Sequence, residues 1–118
     1  MRRIMLKAKI QKLVVTETNL DYEGSLTLDE CLMEAVGMIP FEQIHVYNIS
    51  NGEGFLTYLI KGAKNSGVVG LNGAAVHKAK VGDKLIVASY VSLEEGEIDF
   101  FMPKILLVNE DNKIKEIK

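Results

Sequence analysis

At 118 residues, with 47% hydrophobic and 25% charged side chains, the chain suits a single globular domain with one packed core. A formal net charge of −2 gives no basic footprint, which argues against nucleic acid as a partner, and apolar runs such as Leu85-Ile86-Val87-Ala88 are far too short to cross a bilayer. The one cysteine, Cys31, cannot form an internal disulfide, and Lys7, Lys9, Gln11 and Lys12 break up any apolar leader behind Met1-Arg2-Arg3, so a cytoplasmic location is expected.

Leu6, Ala8 and Ile10 alternate with Lys7, Lys9 and Gln11, the period of a half-buried strand, with Lys9 on the polar face. Leu13-Val14-Val15 continues the extended segment, and Thr18-Asn19-Leu20-Asp21 reads as loop. A helix is expected next. Thr27 and Glu30 have capping-box spacing, Leu28, Cys31, Leu32, Ala35 and Val36 form one apolar stripe, and Gly37 ends it with Pro40 beyond.

From Gln43 onward the pattern is β. Ile44 and Val46 alternate with His45 and Tyr47, Asn51-Gly52 offers a hairpin turn, and Phe55 to Ile60 is the return strand. Lys61 to Gly67 reads as a polar loop, Val68 to Leu71 as a short strand, and Ala74 to Ala79 as a helical turn. Val81-Gly82-Asp83 is a turn before the strand Lys84 to Val91. Glu94 to Glu97 reads as an acidic loop, Lys104 to Val108 as a last strand, and Asn109 to Asn112 as a turn ahead of a charged tail. Many short strands, close turns and one clear helix predict a mainly β fold, a small closed barrel.

Two familiar constellations fail on spacing. Gly67, Gly70 and Gly73 recur regularly, but no Gly-Lys-Ser/Thr follows, so turns explain them better than a phosphate loop. His45, His77 and Cys31 lack metal-ligand spacing; Cys31 is expected to be a small buried hydrophobe, His45 an ordinary strand residue, and His77 either solvated or a support behind the Asn72–Ala75 loop.

The chemistry lies elsewhere. Tyr22-Glu23-Gly24-Ser25 places a Gly-Ser bond on a loop, where a residue without a Cβ lets the serine hydroxyl approach the preceding carbonyl. Such a bond suits an N-to-O acyl shift and self-cleavage, although Gly-Ser by itself is ordinary turn chemistry. Lys9, Asn51-Gly52, Thr57-Tyr58 and Asn72-Gly73-Ala74-Ala75 accompany it in order. Individually, these are a solvated lysine, two turns and a packing aromatic.

Together, over nearly the whole chain, these segments resemble the pyruvoyl-dependent aspartate 1-decarboxylase family. The resemblance implies a double-psi β-barrel with one or two short helices, self-cleaved at Gly24-Ser25 into residues 1–24 and 25–118. It implies decarboxylation of L-aspartate to β-alanine and CO₂ for pantothenate synthesis. The cofactor would be a pyruvoyl group made from Ser25, with neither a metal nor pyridoxal phosphate. Thr57 would assist processing and contact substrate, and Tyr58 would be the proton donor. Asn72 and the Gly73, Ala74 and Ala75 backbone would shape the substrate pocket, and Lys9 would add positive charge. The site would lie between subunits of a homotetramer.

Three positions depart from the family pattern. Gly54 stands where an arginine usually holds a substrate carboxylate, Gln11 where histidine is usual, and Tyr47 where tryptophan is common. Gly54 matters most, because glycine cannot imitate the bidentate guanidinium. It keeps two alternatives open: a paralogue acting on another small amino acid, and a catalytically weak barrel with a binding or regulatory role.

Overall fold

The computed structural model describes residues 1–118. Nine strands form one mixed sheet: β1 (Arg2–Val14), β2 (Glu17–Asn19), β3 (Ser25–Asp29), β4 (Gln43–Asn48), β5 (Gly54–Gly62), β6 (Val69–Asn72), β7 (Lys84–Glu94), β8 (Lys104–Val108) and β9 (Ile114–Ile117). Their spatial order is β2-β6-β3-β5-β4-β7-β1-β8-β9. Three of the pairings, β1/β8, β2/β6 and β3/β5, are parallel, so the connections cross over instead of running as simple hairpins. The sheet curls round one cluster of 21 buried apolar residues, giving the small mainly β barrel that the strand count predicts.

In β1, Ala8, Ile10 and Leu13 are all fully buried, yet the last two are three positions apart. The register against β7 shifts between Ile10 and Leu13, and Lys12 has φ 67°. A bulge there restores the inward face after an odd step. Thr16 N–H then donates to Val69 O (2.9 Å), tying the end of β1 to β6. Buried Asn112 completes the join: its side chain accepts from Val14 N–H (2.8 Å) and donates to Val14 O (2.9 Å) and Gly67 O (2.8 Å).

The helix prediction needs correction at its start. Thr27 and Leu28 lie within β3, paired with β6 on one side and β5 on the other, and α1 spans Glu30–Val36. Its N-cap is Asp29. That carboxylate, 1% exposed, accepts from the backbone amides of Cys31 (2.8 Å), Asn65 (3.0 Å) and Gly67 (2.9 Å). Asp29 thus caps the helix and anchors the loop before β6, two long-range amides that no local spacing rule contains. Gly37 does end the helix, at φ 73°, with its amide bonded back to Glu34 and Met33. Cys31 is only half-buried, its thiol directed at Asn65 Oδ1 (3.3 Å), while Met33 fills the core instead.

Four boundaries also move. Glu17–Asn19 is a strand because β6 offers it a parallel ladder, and β5 runs on through Lys61 and Gly62 beside β3. Glu95–Ile98 is a helical turn, α2, capped reciprocally by Glu94 and Glu97. Ile114–Ile117 pairs with β8 although all four of its residues are exposed, so no burial pattern announces it.

Candidate active site

β3, β5 and β6 lie side by side, and their registers assemble the candidate site. Ser25 opens β3 opposite Asn72, the last residue of β6. On the other flank Leu26 pairs with Leu59 in parallel, so Thr57 and Tyr58 lead into the paired stretch of β5 as Gly24 and Ser25 lead into that of β3. Residues 47 positions apart are thereby made neighbours: Asn72 Nδ2 donates to Ser25 Oγ (3.0 Å) and to Thr27 Oγ1 (2.9 Å). Ser25 and Asn72 are almost completely inaccessible, whereas Tyr22, Glu23 and Gly24 are exposed. The Gly24–Ser25 bond therefore marks the boundary between an open loop and the barrel wall.

The Ser25 hydroxyl donates to Glu23 O at 3.0 Å. Asn19, paired with Asn72 across β2 and β6, extends the polar chain from Asn72 Oδ1 (3.5 Å) to Glu17 (3.0 Å). The array fixes which way the Asn72 amide faces, with its NH₂ toward Ser25 and its oxygen toward Asn19.

Glycine is required at a different place from the one the sequence suggests. Gly24 does not adopt positive φ, and a Cβ there would meet nothing closer than Asn72 O at 3.9 Å. Gly73, at φ 63°, is packed against the Tyr22–Gly24 loop: a Cβ would lie 2.7 Å from both Gly24 N and Tyr22 O and 2.8 Å from Gly24 Cα. Asn72-Gly73 is thus the cradle of the Gly24–Ser25 bond.

A short 3-10 turn, Gly73–His77, carries Ala74 and Ala75 past this point. These two residues join Phe55, Leu56, Thr57 and Lys78 around a pocket of about 210 Å³. Three larger hollows are present: one of about 490 Å³ shares Lys78 and is lined by Ser50, His77 and Asp83, one of about 480 Å³ by Glu42, His45 and Tyr90, and one of about 430 Å³ by Lys12, Glu110 and Lys115. Tyr58 is half-buried, its ring 6.2 Å from that of Phe41. His45 and Tyr47 belong to a separate aromatic group with Tyr90, whose ring meets His45 edge-on at 5.0 Å.

Lys9 stands apart. It lies on β1 between Ala88 of β7 and Ile105 of β8, four strands along the sheet from β3. The lysines that form ion pairs are others: Lys7 with Glu42, Lys61 and Lys64 with Glu30, and Lys78 with Glu53. At Gly54 a Cβ would make only ordinary contacts with Tyr47 and Val46 O (3.7 Å each), so the backbone there admits a side chain.

Three residues of this region escape a reading of motifs. Thr27 looks like a helix cap, Asn19 like loop, and Lys78 like one more surface lysine. Only cross-strand register and the pocket wall give them their places.

The site is thus set in a small mixed β-barrel that buries a serine just after an exposed glycine, with an asparagine amide on its hydroxyl. The aspartate decarboxylase family model matches residues 1–115, and the chain belongs to that family. Aspartate 1-decarboxylases of Cupriavidus necator and Polynucleobacter asymbioticus are 50% and 52% identical over all 118 residues, which cover 98% of each relative. That of Bordetella pertussis is 48% identical, with 97% of its length covered.

Proposed function

We propose that the protein decarboxylates L-aspartate to β-alanine and CO₂, serving pantothenate synthesis, after cleaving itself at Gly24-Ser25. The observation that carries this reading is Ser25 Oγ, buried at the head of β3 and held by Asn72 Nδ2 beside an exposed, sterically free Gly24. In processing, Ser25 Oγ attacks the Gly24 carbonyl carbon, and the Gly24–Ser25 amide becomes an ester as the nitrogen takes a proton. Loss of the Ser25 α-proton expels the Gly24 carboxylate. Hydrolysis of the resulting dehydroalanine then releases ammonia and leaves a pyruvoyl end on residues 25–118.

The Asn72 amide, donating to Ser25 Oγ, holds the nucleophile in place beside the Gly24–Ser25 bond, a positioning effect. The Glu23 carbonyl holds the hydroxyl proton in the intact chain, so release of this contact frees the nucleophile. The pyruvoyl ketone supplies an electron sink for the carbanion left by departing CO₂. Tyr58, which leads into the paired stretch of β5 as Ser25 does into that of β3, is the acid that returns a proton to that carbon, and Thr57 with the Ala74–Ala75 backbone lines the substrate's place.

Two features support a homotetramer. Lys9 lies far along the sheet from Ser25 within one chain, and large apolar side chains such as Ile4, Phe41, Phe100 and Met102 are at least 78% exposed. A neighbouring subunit covers such side chains and can bring its Lys9 to the site. A cytoplasmic enzyme accords with the absence of any helix long and apolar enough to cross a membrane.

Intact-mass analysis of the purified protein tests processing directly. Two chains, residues 1–24 and a carbonyl-reactive 25–118, are expected, and Ser25→Ala should remain whole and inactive. Cleavage that survives Ser25→Ala would sink the mechanism.

A further inference from the structure

We propose that Lys78 holds the substrate carboxylate that survives the reaction, with Glu53 as the exchangeable counter-ion that occupies Lys78 beforehand. The inference rests on the decarboxylase reading above and adds a cation from the same chain to the Lys9 that a neighbouring subunit can bring. Of the six residues around the 210 Å³ pocket, Lys78 alone is charged. Two of the other lining residues adjoin the Ser25 cluster along the chain: Thr57 precedes Tyr58 on β5, and Ala74 follows Gly73, which packs on Gly24. This volume is below the roughly 300–1,000 Å³ typical of pockets for drug-sized ligands and suits a molecule the size of an amino acid.

The backbone of Lys78 is pinned. Its N–H donates to Ala75 O (3.0 Å), and its carbonyl accepts from the side chains of Asn48 (3.1 Å) and Asn51 (2.9 Å). The side chain is free by comparison. Lys78 Nζ meets Glu53 Oε2 at 3.2 Å, with the two side chains 46% and 49% exposed. Such a pair is weak in water, so one carboxylate readily replaces another on the same ammonium.

The chemistry decides which substrate carboxylate belongs there. The α-carboxylate loses its charge as CO₂ leaves, so a cation on it would favour the ground state over the transition state. The β-carboxylate keeps its charge throughout and can be held without slowing the step. Lysine supplies a point charge without a planar fork, which leaves orientation to Thr57 and the Ala74–Ala75 backbone.

The test uses protein whose processing has first been verified by intact mass, assayed for CO₂ release across a range of aspartate concentrations. Lys78→Ala and the longer Lys78→Gln should raise KM about tenfold or more, the loss of one charge-assisted hydrogen bond, and change kcat much less. Lys78→Arg should restore most of the affinity. Glu53→Gln, which leaves Lys78 untouched and removes its competitor, should lower KM. A processed Lys78→Ala or Lys78→Gln enzyme with wild-type KM, or a Glu53→Gln enzyme whose KM does not fall, overturns the role of Lys78 while the decarboxylase reading stands. A fully processed wild-type protein that releases no CO₂ from aspartate overturns both.

Discussion

Gly73→Ala isolates the contact between the two halves of the candidate site. The new methyl must sit at φ 63° and 2.7 Å from backbone atoms of both Tyr22 and Gly24, about 0.7 Å or more inside ordinary contact. The left-handed conformation adds roughly 1–2 kcal/mol for a residue with a Cβ, and overpacking against fixed atoms typically adds about 1–3 kcal/mol. The barrel wall at Asn72 is buried, whereas residues 22–24 are exposed, so the loop yields first and relieves most of the clash. What remains is the backbone term, which for a domain of this size lowers Tm by roughly 4–8 °C. The displaced loop carries the Gly24 carbonyl away from Ser25 Oγ, and a misplacement near 1 Å can slow a positioned reaction about 10²-fold. The assay is the fraction of intact chain against time after purification, by mass spectrometry, with a thermal melt in parallel. Gly24→Ala is the control: its Cβ has open space, so fold and Tm should be unchanged. Gly73→Ala protein that matures at the wild-type rate would refute the cradle.

Tyr58→Phe keeps the ring beside Phe41 and removes only the hydroxyl, so processing and Tm should be unchanged while turnover falls about 10²–10⁴-fold; near-normal turnover would return Tyr58 to packing. Asp29→Ala strips three backbone amides of their acceptor and should destabilise the protein by about 3 kcal/mol or more in denaturant titrations, with Asp29→Asn intermediate. The Asn48 side-chain amide, and after it the Lys80 backbone amide, hold the Asp83 carboxyl below its ordinary value. A lowered folded-state pKa gives stability that is complete above the ordinary value near 3.9 and is lost as the pH falls through the lower folded value. Melts of wild type and Asp83→Asn should therefore differ at neutral pH and converge in acid below about pH 4.

Features that depend on neighbours along the chain were legible in the residues alone. Strand alternation at Ile44–Tyr47, the turn at Asn51-Gly52 and the αL stop at Gly37 are local consequences of side-chain period and backbone freedom, and the structure repeats them. The two site motifs could also be read, because Tyr22–Ser25 and Asn72–Ala75 are contiguous runs. Tertiary structure decided what those runs do to each other. Ser25 and Thr27 form one face of β3, since β6 lays Asn72 across them from 47 and 45 residues away. Asp29 displaced Thr27 as the helix cap because Asn65 and Gly67, on the loop joining β5 and β6 on either side of β3, share its carboxylate. β9 exists because β8 leaves an edge to pair with, although its own four residues carry no burial signal. Gly73, not Gly24, is the glycine the packing requires, and a contact made on closure of the barrel is absent from the periodicity of either segment. Local propensity acts over a few residues, whereas the hydrogen bonds and close approaches that build this site are made between strands, after the chain has paid the entropy of bringing them together.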